Sequence, residues 1–163
     1  MKRRIIISFA SIALLFTACK NSTGNKTDFD PATLTKEVTG SENALFSLLK
    51  EGKINDAFAM HTNNAFYRNI VDGISRTHSQ MDSVLKSNAS KNVKSYDYSI
   101  STRDFLIIDN SNVLETVEAN RKLINTADST IESKPVTLSI LWTKDNTKWN
   151  VSYLHSSYKL KNN

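Results

Sequence analysis

The side chains here best suited to nucleophilic, proton-transfer or metal chemistry are one cysteine, Cys19, and three histidines, His61, His78 and His155. Imidazole changes charge near neutral pH, so a histidine held beside a substrate and partly desolvated can carry a proton. His155 follows Trp149, Val151 and Tyr153 at two-residue spacing, so a regular strand turns all four to one face. His61 stands at the end of a helical pattern. The competing roles are structural: His155 bonded to a neighbouring strand or to Ser157, and His61 capping a helix. The spacing argues against a metal centre, because the three histidines are far apart and no His-x-His or His-x-x-x-His pair occurs. There is no Gly-rich phosphate loop, no Gly-x-Ser-x-Gly elbow and no basic motif with interleaved aromatics. Glu115 and Glu118 have opposite strand parity and make no carboxylate pair on a regular strand. Asp72 could serve as an acid, but Asp72-Gly73 is first a turn. No cofactor is expected.

Cys19 has a distinctive setting. Lys2, Arg3 and Arg4 precede the apolar run from Ile5 to Phe16, and Thr17-Ala18 leads into the cysteine. A basic segment, an apolar segment and a small residue before a cleavage point make a secretory signal. The apolar stretch is short for a membrane span of about 20 residues. Leu15-Phe16-Thr17-Ala18-Cys19 resembles the lipobox of bacterial lipoproteins, with Phe16 where leucine is commoner. The resemblance implies a diacylglycerol (palmitate-type) thioether on Cys19, cleavage before it and an acylated new amino terminus. Each buried methylene contributes about 0.8 kcal/mol, so two or three chains anchor firmly. The expected location is the bacterial cell envelope, on the periplasmic face of either membrane or the cell surface.

Removing residues 1–18 from the 163 leaves 145, enough for one domain with a hydrophobic core. Basic residues fall from 21 to 18 against 16 acidic ones, so the formal charge drops from +5 to +2. The basic balance belongs partly to the signal and is poor evidence for nucleic-acid binding, and no nucleic-acid partner is expected outside the cytoplasm. With Cys19 acylated no thiol is left for a disulfide.

Residues 20–29 are polar and aperiodic and read as a tether. Asp30-Pro31 opens a short helix that Thr39-Gly40 should interrupt. Ser41 then caps a helix with Ala44, Leu45, Leu48 and Leu49 on one face and Gly52 as its stop. A second short helix runs from Lys53 to about His61. After an extended piece over 65–70 and the Asp72-Gly73 turn, His78–Lys86 forms a third, with Met81, Val84 and Leu85 facing the core. Strands follow at 93–101 and 105–108, 113–124, around 136–142 and 149–155, and Asp145-Asn146-Thr147 makes the last turn. On the last strand, Leu154 and Tyr158 fall on the face opposite Trp149. Residues 159–163 are a charged tail. Helices followed by an antiparallel meander define an α+β fold, with helices packed on a curved sheet that can enclose a cone.

From Leu138-Ser139-Ile140-Leu141-Trp142, through the Asp145 turn, to Trp149 and His155-Ser156-Ser157, the chain resembles the closing hairpin of the nuclear transport factor 2-like superfamily. That is the cone fold of ketosteroid isomerase and the SnoaL-like cyclases. The stretch from His61 through Asp72-Gly73 to Met81–Leu85 is similar to the family's passage from second to third helix. Asn146-Thr147 replaces the usual Gly-Gly. The resemblance covers residues 41–158 and implies a cystatin-like cone. It places His61 and His155 where family members often carry histidine, and it suggests Tyr67, Tyr98, Trp142, Trp149 and Tyr153 as pocket lining. Tyr96 and Tyr98 form a stripe that fits a pocket wall, a core or a dimer interface. The expected function is an exported, membrane-anchored lipoprotein that binds a small apolar ligand or protein partner without catalysis. The alternatives are a SnoaL-like isomerase, cyclase or hydrolase, and a structural module that homodimerises.

Overall fold

A computed structural model describes residues 30–87 and 92–158. The signal, Cys19, the tether and the tail lie outside the described residues.

Helix α1 (Pro31–Lys50) starts as its sequence demands: the Asp30 carboxylate accepts hydrogen bonds from the backbone N–H groups of Ala32 and Thr33, and Pro31 occupies the first turn. It does not stop at Thr39-Gly40. Gly40 is exposed, and its cost in a helix interior is about 1 kcal/mol relative to alanine. Burial of Leu34, Val38, Glu42 and Leu45 on both sides of it outweighs that cost. The stop comes at Gly52, whose positive φ of 76° and close approach to the Lys94 carbonyl exclude a side chain. Helix α2 (Ile54–Phe58) follows, and the hairpin of β1 (Arg68–Val71) and β2 (Ile74–Arg76) turns on Asp72 and Gly73, both at positive φ. Helix α3 (His78–Lys86) begins with a reciprocal cap between Thr77 and Gln80. It turns Met81 and Leu85 inward, but Val84 is 40% exposed and does not face the core.

Four long strands complete the chain: β3 (Val93–Ile107), β4 (Asn112–Asn125), β5 (Thr130–Asp145) and β6 (Lys148–Tyr158). The sheet order is β2-β1-β6-β5-β4-β3. The meander β3–β6 is antiparallel as expected, but β1 joins β6 in parallel, so the six-stranded sheet is mixed. Register shifts bend the long strands where one residue has no partner opposite it. Helix α1 lies against the concave face, over Val113, Val117, Val136, Leu138, Ile140, Trp142 and Val151.

Two of these shifts decide which side chains face inward. On β3 the shift between Ile100 and Thr102 brings Arg103 onto the same face as Ile100. Arg103 Nε then donates to Glu42 Oε2 at 2.6 Å. On β6 the pairs Leu141↔Tyr153 and Trp142↔Val151 leave Ser152 as the extra residue. Leu154 and Ser156, paired with the inward Ile140 and Leu138, therefore join Trp149 and Val151 on the concave side. Tyr153 and His155 turn away from it, contrary to the regular alternation the sequence suggests.

The core contains an unusual acidic pair. Glu42 on α1 and Glu115 on β4 are both fully buried and interact side chain to side chain. Trp142 Nε1 donates to Glu115 Oε2 at 2.7 Å. Each carboxyl keeps its Oε1 without another hydrogen-bond partner among the described residues. Burial raises the pKa of both. Glu115 is pushed up to about 7 by burial and then by the neighbouring charge of Glu42. One proton held between the two carboxyls removes the repulsion between them.

Candidate functional site

Between α1, α2, α3 and the concave face lies a partly open cavity of about 210 Å³. Leu45, Phe46 and Leu49 of α1 cover it, and Leu138, Ile140 and Leu154 form its floor. Phe46 stacks on Tyr98 with ring centroids 4.7 Å apart. The lining is therefore chiefly aliphatic and aromatic. Its polar members are His61, Asn69, Ser156, Arg121 and the phenols of Tyr96 and Tyr98. None of the lining residues is a carboxylate.

His61 enters the site from the end of α2. The carbonyls of Ala57 and Phe58 lie 3.2 and 3.1 Å from its Nδ1, so this nitrogen carries the hydrogen and donates it. Nε2 is left as the acceptor. Burial pushes the imidazole pKa down to about 4, and the ring is neutral at pH 7. Such a ring accepts hydrogen bonds but is a weak base. The residue is partly exposed and lines the cavity. Tyr67, fully buried, packs edge-on to it with ring centroids 5.6 Å apart, and His78 stacks on Phe58 at 4.4 Å.

Asn69 on β1 and Ser156 on β6 are buried, and Asn69 Oδ1 and Ser156 Oγ have no hydrogen-bond partner among the described residues. The Tyr67 hydroxyl also lacks a partner at hydrogen-bond geometry; burial raises its pKa to about 12, and the Asn69 side chain beside it acts in the opposite direction. Buried polar atoms are normally paired, so unpaired acceptors and hydroxyls beside a cavity mark places where a ligand can bond. At another part of the wall, Tyr98 and Arg121 occupy facing positions on β3 and β4.

The sequence-derived candidates separate. His61 and Tyr98 line the cavity, and Tyr67 stands behind His61. His155 and Tyr153 are on the opposite sheet face because of the extra residue at Ser152. Trp142 is a core residue bonded to Glu115 rather than a pocket wall. Trp149 is also buried, with its indole donating to Glu37 Oε2 at 2.9 Å beside a different, shallow cleft. Among the described residues no group of three or more His, Cys, Asp or Glu could hold a metal ion. Asn69, Arg121 and Ser156 were missed. Arg121 was within reach of parity alone, since it alternates with Val113, Glu115, Val117 and Ala119 on β4.

No family model and no curated protein matches the sequence. Solved structures match the fold. A nuclear transport factor 2-like superfamily protein from Salmonella enterica serovar Typhimurium LT2 superposes with a TM-score of 0.68 at 14% identity, covering 82% of this chain and 96% of that one. The fold is the nuclear transport factor 2-like cone. A protein with a cystatin-like fold from Caulobacter vibrioides gives 0.60 at 14% identity, covering 78% and 90%. A type 2 hexachlorocyclohexane dehydrochlorinase gives 0.62 at 5% identity, covering 79% and 87%. The cone thus serves enzymes and proteins without a stated activity alike, and what this one does rests on its own lining.

Proposed function

We propose that the cone binds a small, mainly apolar molecule and does not transform it, and that Cys19 anchors it to a bacterial envelope membrane. The observation that carries the binding reading is the apolar cavity with unpaired polar atoms and no carboxylate in its wall. A proton carrier works best with a pKa near the ambient pH, and His61, near 4, lies well below it. No acid faces His61 in the cavity to stabilise an imidazolium.

The test is native mass spectrometry of the purified protein. A co-purified small molecule is expected, lost in Leu138→Trp, whose indole fills the floor while leaving the circular dichroism unchanged. Protein that carries no adduct, and whose melting temperature does not respond to octan-1-ol, would reject the reading.

A second reading keeps His61 as a base, as in SnoaL-like enzymes. It is favoured by the orientation of the ring, with Nδ1 fixed on two carbonyls and Nε2 left as the acceptor. Conversion of the co-purified molecule by wild type and not by His61→Gln would establish it. A homodimer is compatible with either reading. Leu106, Leu114, Leu141 and Tyr153 pair in one row across the face opposite the cavity and form an apolar stripe for a second copy. The same spectra read the oligomer, and monomers alone at micromolar concentration would dismiss the dimer.

The anchor rests on the Leu15–Cys19 pattern. Cys19→Ala should abolish incorporation of labelled palmitate and release the protein from the membrane fraction. Label that persists in this variant would refute acylation at Cys19, because the chain has one cysteine.

A further inference from the structure

We propose that the molecule held in the cone is an apolar carboxylate, and that Arg121 receives its anionic end; this rests on the binding function proposed above. Arg121 is only 8% exposed and lines the cavity. A guanidinium has five N–H donors, and a buried one is costly while any stays unpaired. Its Nη2 donates to Glu132 and the guanidinium also interacts with the Tyr98 phenol, but its Nε has no partner at hydrogen-bond geometry among the described residues. Glu132 is shared, since Lys134 Nζ stands 3.0 Å from its other oxygen. Two cations thus meet one carboxylate, and a positive charge is left over.

The surrounding groups do not cancel it. Tyr158 lies under both cations, 5.0 Å from Arg121 and 3.8 Å from Lys134, and attracts them without neutralising them. Burial raises the pKa of Tyr98 to about 12 and shifts Tyr96 in the same direction, so neither supplies a phenolate at neutral pH. The cavity wall offers no carboxylate. A ligand carboxylate is the acceptor that pairs Nε and matches the surplus charge. Away from Arg121 the site offers Leu138, Ile140, Leu154 and Phe46 to a hydrocarbon body. An aliphatic monocarboxylic acid fits both chemistries.

Octanoate and octan-1-ol have the same carbon chain and differ in the charge of the head. They are titrated by calorimetry at pH 7.5 into the full chain carrying Cys19→Ala, which lacks the thiol that takes the anchor. Octanoate is expected to bind about tenfold more tightly than the alcohol, the worth of one charge-assisted hydrogen bond. Arg121→Gln should erase that preference while the alcohol still binds. Glu132→Gln, which removes the competing carboxylate, should tighten octanoate several-fold, and it keeps the test open if Arg121→Gln fails to fold. Equal binding of acid and alcohol to wild type overturns the carboxylate while leaving the binding function intact. A preference that survives Arg121→Gln, or octanoate affinity indifferent to Glu132→Gln, removes Arg121 from the role. If neither compound binds, the binding function fails for ligands of this size and the carboxylate falls with it.

Discussion

Glu115→Gln should gain stability over wild type as the pH rises, by on the order of 3 kcal/mol between pH 4 and pH 8. The folded pKa of Glu115, about 7, lies above its ordinary value of 4.5. Between these values the folded state holds a proton that the unfolded chain has released, so the contribution of Glu115 to stability falls with rising pH. The separation, at about 1.4 kcal/mol per pKa unit, sets the magnitude. A glutamine can keep both contacts, with its amide donating to Glu42 and its carbonyl accepting from Trp142, and it has no charge to acquire. The comparison must be between the two proteins. His61, with its pKa lowered to about 4, acts in the opposite sense, since its neutral form is favoured in the fold and stability is lost as the pH falls below the ordinary histidine value. Urea denaturation of the two proteins at unit pH intervals cancels His61, which is common to both, and reads the change in the coupled Glu42–Glu115 pair. A gap between the proteins that does not change with pH would show that the carboxyls do not share a proton.

The second large effect is expected at Trp149. It is the second residue of β6, is buried in the core with Val151, and donates its indole N–H to Glu37. Glu37 in turn takes the Lys144 ammonium at 2.7 Å, and its pKa is lowered by Lys144 and then by Trp149. Trp149→Ala should cost about 3–5 kcal/mol, the range for deleting a buried aromatic ring. Part of this is lost attachment of α1 to the β5–β6 hairpin, so amide exchange should accelerate in α1 more than in β4. A loss below about 1 kcal/mol would contradict the burial of the ring.

Local chemistry made much of this fold legible. Asp30 and Pro31 announce the start of α1, Thr77 and Gln80 that of α3, and Asp72-Gly73 the first hairpin. Alternation placed Val136, Leu138, Ile140 and Trp142 on one face of β5, where they are all buried. Reading failed where a distant contact overrides local preference. Gly40 stays helical because its neighbours are buried against strands formed by residues beyond position 92. Glu42 and Glu115 are 73 positions apart, and nothing near either one signals the other. The parallel pairing of β1 with β6 joins two segments that neither a turn nor a crossover helix connects directly. Of the site, His61 and Tyr98 were found from sequence, whereas Asn69 and Ser156 look like ordinary polar positions until the register of β1 against β6 is known.

The unpaired Ser152 has a bearing on how this protein could diverge. Up to that point β6 shows the concave side Trp149 and Val151, and after it Leu154, Ser156 and Tyr158. A codon lost there removes only the residue that has no partner, so the ladder closes evenly and every later pair is kept, with Leu154 still opposite Ile140 and Ser156 opposite Leu138. The hydrophobic floor would be unchanged and His155 would stay on the outer face. The strand can therefore change length at this one position while the ligand meets the same side chains.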